Sequence, residues 1–305
     1  MNLYQHKIQL LLLAVITFSN STYSQMSENN KHNLIAKDAV LKKLSNQYSF
    51  TEGPVADKSG DVFFTDQPNN RIVKWSTDGK LSVYMENAGR ANGLYFDLEG
   101  NLLACADEKN EIWKIDKNKK VTVLVNDYEG KRLNGPNDLW VDPKGGIYFT
   151  DPFYQRDYWK HTTKEIEKEC VYYLSPDKSK ITNVGNDLIK PNGIIGTSDG
   201  KTLYVADIEA NKTYSYTINN DGSLGKKTLF TESGSDGITI DEQGNLYLTG
   251  KGVTVFNSKG EKIAHIDIKE PWTANVCFGG KDFKTLFITA FTAVYTLEMN
   301  VRGMN

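Results

Sequence analysis

The sequence predicts an all-β protein, a six-bladed β-propeller. Two observations predict that class. One strand–turn–strand unit recurs six times along the chain, and no long stretch carries helical periodicity. A third observation bears on function: every copy opens on an acidic or amide residue, Asn in four copies, Glu in the first and Asp in the fifth.

The copies are EGPVADKSGDVFFTD from Glu52, NGLYFDLEGNLLACAD from Asn92, NDLWVDPKGGIYFTD from Asn137, NGIIGTSDGKTLYVAD from Asn192, DGITIDEQGNLYLTG from Asp236 and NVCFGGKDFKTLFITA from Asn275. Their starts lie 39 to 55 residues apart, the length of a four-stranded propeller blade. Within each copy, alternation of period two and β-branched or aromatic content read as two strands. The turns between them, such as DKSGD and DEQGN, supply the Asp, Asn and Gly of tight reversals. Further strand-like runs follow (RIVKW, EIWKID, VYYLS, TYSYTI, VTVFN, AVYTL), with no room for crossover helices. Ahead of the first copy, AVLKKLS at Ala39 to Ser45 is expected to pair with the last blade as its outer strand and close the ring.

The chain start has a different character. Lys7 precedes an apolar run from Ile8 to Phe18 and then small polar residues, the three-part pattern of a secretory leader. The run is too short to span a bilayer. The expected organisation is a signal peptide over 1–24, a flexible segment over 25–36 and the propeller over 37–305, exported to a periplasm or the medium. A net charge of −2 and a pI near 6.1 give no reason to expect nucleic acid or an anionic membrane as partner. A monomer or weak dimer acting on a small molecule is the expectation. Cys105, Cys170 and Cys277 are too few for a disulfide framework and read as buried free thiols. The four histidines have no paired spacing, which argues against a His/Cys zinc site.

In a meander the first strand starts on the face where the second ends. Glu52, Asn92, Asn137, Asn192, Asp236 and Asn275 are therefore expected to open their first strands and cluster at one mouth of the channel. Asp66, Asp107, Asp151 and Asp207 end second strands on the same face, further out. Two carboxylates and several amides converging on an axis make a hard-oxygen cage suited to Ca²⁺, with Mg²⁺, Zn²⁺ or Mn²⁺ as alternatives. Glu52 and Asp236 balance the charge, and Asn137 and Asn192 add neutral oxygens. Plain turn chemistry accounts for Asx–Gly pairs but not for Glu52 or for the Asn137–Asp138 pair.

The segments FTEGPV, RLNGPNDLWVDPKGGIYFTDP, KPNGI, SDGITID and NVCFGGKDFKTLFITA resemble the gluconolactonase/SMP-30/regucalcin family, over about Phe50 to Leu297. The resemblance implies a six-bladed propeller with a catalytic cation in the channel, held by Glu52, Asn137, Asn192 and Asp236. It implies metal-assisted opening of a lactone, with Asp236 as general base or nucleophile and Asp138 orienting beside it. Gly135 stands where the regucalcin branch has an arginine, and Arg132 and Asn134 are near enough to substitute. An insertion after Asp151, PFYQRDYWKHTTKEIEKE, is expected to lie over the mouth and to bring Tyr154, Tyr158, Trp159 and His161 as an aromatic lid. Two other functions stay open: an aryl esterase or phosphotriesterase on the same site, and a ligand-binding propeller whose cation is structural.

Overall fold

The computed structural model describes residues 34–304. The leader expected over 1–24, and residues 25–33 of the expected flexible segment, lie outside the described residues. Among the described residues are twenty-four strands and one 3₁₀ turn, Gln67–Asn69, arranged as six four-stranded antiparallel sheets. None of their helices is long and apolar enough to cross a membrane.

Each sheet is one blade. The innermost strands are Thr51–Ala56, Ala91–Phe96, Leu139–Val141, Pro191–Gly196, Ile238–Ile240 and Asn275–Gly279. They touch one another from blade to blade around the axis. The sixth blade takes its outer strand from the other end of the chain: Lys42–Ser45 pairs with Ala293–Glu298, with Lys42 opposite Thr296 and Lys43 opposite Tyr295. Leu44 presses into the apolar cluster of Val62, Phe64, Phe287 and Val294, and Lys43 ion-pairs with Glu270 at 2.6 Å. The ring therefore has no open seam, which removes an edge that would otherwise template aggregation.

Large apolar side chains fill the wedges between blades. Trp140 and Tyr148 of blade 3 share one cluster with Ile194, Leu203 and Val205 of blade 4 and with Ile238 and Leu246 of blade 5. Burying each such side chain contributes about 1.5–3 kcal/mol, which ties blade to blade without a covalent link. Cys105, Cys170 and Cys277 are free and buried in this packing, as the sequence suggested.

One expectation needs correction. Glu52, Asn92 and Asn192 are the second residues of their strands and Asn275 the first, but Asn137 and Asp236 precede theirs by two residues. The reason is local. In blades 1, 2 and 4 the Xaa–Gly pair is absorbed as an irregularity of register, between Glu52 and Val55, Ala91 and Leu94, and Pro191 and Ile194. In blades 3 and 5 a threonine of the second strand intervenes instead. Thr150 Oγ1 accepts from Asp138 N at 3.2 Å, and Thr249 Oγ1 accepts from Gly237 N at 2.7 Å. Beside them run backbone bonds, Thr150 N on Asp138 O and Thr249 N on Gly237 O, ahead of the first regular pairs, Leu139 with Phe149 and Ile238 with Leu248.

Candidate active site at the channel mouth

The mouth is a ring in which each blade's first residues press on those of the next. Glycine permits this approach. A Cβ at Gly193 would lie 2.6 Å from the backbone oxygen of Asp236, and one at Gly237 would lie 2.0 Å from the amide carbon of Asn275. The Asx–Gly pairs are thus a packing requirement as well as turn chemistry.

Three carboxylates stand inside this ring. Glu52 is 2% exposed. Its Oε2 accepts from Gly53 N at 2.7 Å and from Asn275 Nδ2 at 3.3 Å. Burial, with the charge of Asp236 added, holds its carboxyl well above the usual range. Burial also raises Asp236, against hydrogen bonds from Trp272 and Asn192 and the more distant charge of Arg156. Trp272 Nε1 donates to Asp236 Oδ2 at 2.5 Å. Asp138 sits deeper, at the inner end of a channel cavity of about 370 Å³ walled by Leu94, Tyr95, Trp140, Ile194 and Val276. That apolar wall pushes it up to about 7, although Leu139 N donates to its Oδ1 at 2.9 Å and the Asn275 amide also faces it. Asn275 therefore bridges Asp138 to Glu52.

The amides complete the ring. Asn192 Nδ2 donates to Tyr154 Oη at 3.0 Å. Asn137 is buried, and its backbone is fixed by Gly93 N on its oxygen and by its own N on Thr150 O. Asn92 is buried too, and its Oδ1 has no hydrogen-bond partner among the described residues. Buried carboxylates without a close cation, next to an orphaned amide oxygen, fit a hard divalent ion. Among the described residues no three His, Cys, Asp or Glu side chains form a metal cluster on their own. A cation here would rest on Glu52, Asp236 and the amides Asn137 and Asn192.

The insertion between Ile147–Asp151 and Cys170–Leu174 does reach the mouth, through Tyr154. Arg156 anchors it: its Nε binds Asp107 Oδ2 at 3.0 Å, and its guanidinium lies 5.7 Å from the Tyr154 ring centroid. Tyr158 Oη donates to the same Asp107 oxygen. Trp159 is buried, with its Nε1 on Asp107 O at 2.7 Å and its ring stacked on His161. Trp159 also explains Gly135, since a Cβ there would meet its Cη2 at 3.0 Å. Arg132 and Asn134 hold the far limb of the same loop. Arg132 Nη1 pairs with Glu165 at 2.9 Å, and Asn134 Nδ2 donates to Lys168 O at 3.0 Å.

The outer aspartates have a shared task. Asp66, Asp151 and Asp207 each accept two consecutive backbone N–H groups from the segment leading into their own blade: Ser49 and Phe50, Asn134 and Gly135, Ile189 and Lys190. Asp107 departs from this pattern and holds the insertion instead. The sequence reading did not assign roles to Trp272, Arg156 or the threonines. The threonines alone carried a sequence signal, recurring as FTD, FTD, LTG and ITA at second-strand ends.

Comparison with known proteins agrees with this architecture. The chain is 30% identical over 295 residues to a gluconolactonase of Zymomonas mobilis, covering 86% of this chain and 82% of that one. A solved gluconolactonase from Xanthomonas campestris superposes with a TM-score of 0.81 at 29% identity, covering 87% of this chain and 91% of the other. Regucalcin from Agrobacterium tumefaciens shares the fold, with a TM-score of 0.72 at 21% identity over 87% of this chain and 95% of that one. Residues 50–292 match the family described as SMP-30/Gluconolactonase/LRE-like region, and the chain belongs to that family.

Proposed function

We propose that this chain is a divalent-cation-dependent lactonase that opens a sugar-derived lactone, with Ca²⁺ as the ion. The observation that carries the reading is a pair of carboxylates, buried Glu52 and half-buried Asp236, set among amides at one channel mouth. The gluconolactonases among its relatives support the substrate class. Glu52, Asp236, Asn137 and Asn192 would hold the ion, which when bound supplies Lewis-acid polarisation of an ester carbonyl.

The chain's own residues do the rest. Trp272 and Asn192 orient the Asp236 carboxylate, so that it can present an oxygen to a water. Asp236 takes a proton from that water while the water oxygen bonds to the carbonyl carbon. The tetrahedral centre then collapses, the ring C–O bond breaks, and the ring oxygen takes the proton back from Asp236, giving a hydroxy acid. Asn275 and Asp138 position Glu52 from below, while Tyr154 and Arg156 cover the mouth and exclude bulk water.

The test is a hydrolysis panel of aldonolactones, aliphatic lactones, aryl esters and phosphotriesters, each with chelator and with Ca²⁺ restored. Aldonolactone hydrolysis that stops on chelation and returns with Ca²⁺ is the expected result. Activity indifferent to chelator would remove the cation from the reading. Turnover of aryl esters or phosphotriesters alone would assign the site to those substrates.

A further inference from the structure

Beside the mouth, between blades 4 and 5, a second cavity of about 320 Å³ opens on the same face. Its walls include Ile208 and Asn211 from blade 4, Ser233 from the link into blade 5, and Lys251, Thr254 and Trp272. Trp272 is the partition between cavity and site. Its Nε1 binds Asp236, and its ring lines the cavity. Gly250, at φ 142°, brings bare backbone toward that ring; a Cβ built there would stand 3.7 Å from Trp272 Cη2. Asn211 uses its Oδ1 to accept from Gly234 N at 3.1 Å, which leaves its Nδ2 as a donor. Among the described residues neither that Nδ2 nor Lys251 Nζ has a partner.

This set has a chemical preference. A fixed indole face accepts the C–H face of a pyranose, while amide, ammonium and hydroxyl groups at its rim satisfy ring hydroxyls. The volume sits at the low end for small-molecule pockets, suited to a single ring. Because Trp272 touches both Asp236 and the cavity, the two lie next to each other across a single side chain. The insertion covers the mouth on the side of Asp107 and Asn192, so a longer substrate extends toward blade 5.

We propose that this cavity is a sugar subsite, holding a second hexose linked to the lactone, so that the preferred substrate is a disaccharide-derived aldonolactone. The proposal rests on the lactonase reading of the adjacent site. The experiment compares kcat/KM for glucono-δ-lactone with that for cellobiono- and maltobiono-δ-lactone, in the native protein, in Ser233→Trp, which fills the cavity, and in Lys251→Ala, which removes a rim donor on an exposed side chain. In parallel, cellobiose and maltose are titrated against intrinsic tryptophan fluorescence.

The native protein is expected to favour one disaccharide lactone by about ten-fold or more, the scale of one well-made set of ring contacts. Ser233→Trp should erase that advantage while leaving glucono-δ-lactone turnover unchanged, and should abolish saturable disaccharide binding. Lys251→Ala should lose part of the advantage and serves if Ser233→Trp does not fold. Equal kcat/KM for all three lactones with no disaccharide binding would overturn the subsite, as would variants that slow every lactone alike. If no lactone is turned over, the lactonase reading fails, and the fluorescence titration still decides the subsite.

Discussion

Glu52 and Asp236 set the fold a problem, because desolvation pushes both carboxyls toward the protonated form. A divalent ion, bound as proposed, would offset that shift by favouring the ionised forms. Asp236→Asn separates the two roles, since it keeps an oxygen for the ion but loses the proton acceptor. With Ca²⁺ at saturation, kcat of this variant should remain lower by about 10²-fold, the usual scale for losing a general base. Recovery of the rate on adding Ca²⁺ would leave Asp236 as a ligand only, because mass action refills a weakened site.

At the scale of elements, the insertion of blade 3 is the part of the molecule with the least regular structure and the most side-chain anchoring. Its hold on the body runs through Asp107, which binds Arg156 and Tyr158 through its side chain and Trp159 through its backbone oxygen. Trp159→Ala should free the loop without touching the carboxylates. KM should rise by about ten-fold, equivalent to roughly 1.4 kcal/mol of lost positioning, while Ca²⁺ affinity stays constant and limited proteolysis begins to cut within residues 152–168. An unchanged KM would make the loop a bystander.

The blades themselves were legible in the sequence because each repeats its own turn chemistry, and Glu52 and the Asn137–Asp138 pair stood out by breaking the repeat. The strand starts of blades 3 and 5 were not legible. Whether a register irregularity or a threonine hydroxyl takes up the slack is decided across the sheet, not along the chain. Trp272 was hidden for a similar reason, being a lone aromatic in a connecting loop with no counterpart in other copies. Arg156 sat beside residues already singled out, but its partner Asp107 is 49 residues away.

For the whole molecule, the raised carboxyls of Glu52, Asp138 and Asp236 tie stability to pH, and to the ion where it binds as proposed. The metal-free folded chain holds protons on Glu52, Asp138 and Asp236 above the ordinary values near 4, with Asp138 at about 7. Between about pH 4 and pH 7 the folded state binds more protons than the unfolded state, so its stability falls as pH rises. Bound Ca²⁺ favours the deprotonated forms and works in the opposite sense. Thermal unfolding followed from pH 4 to pH 8 should therefore show Tm declining toward neutrality in chelator and holding level or rising in Ca²⁺. Parallel curves would mean that the ion binds elsewhere.

The sixth blade adds a constraint of timing. Lys42 is synthesised about 250 residues before Thr296, the residue it must pair with. At roughly 5–20 residues per second, the ribosome takes on the order of 13 to 50 s to cover that distance. Throughout that interval the strand destined to lock the ring has no partner to pair with. The ring therefore cannot close before the last strand, Ala293–Glu298, has been made.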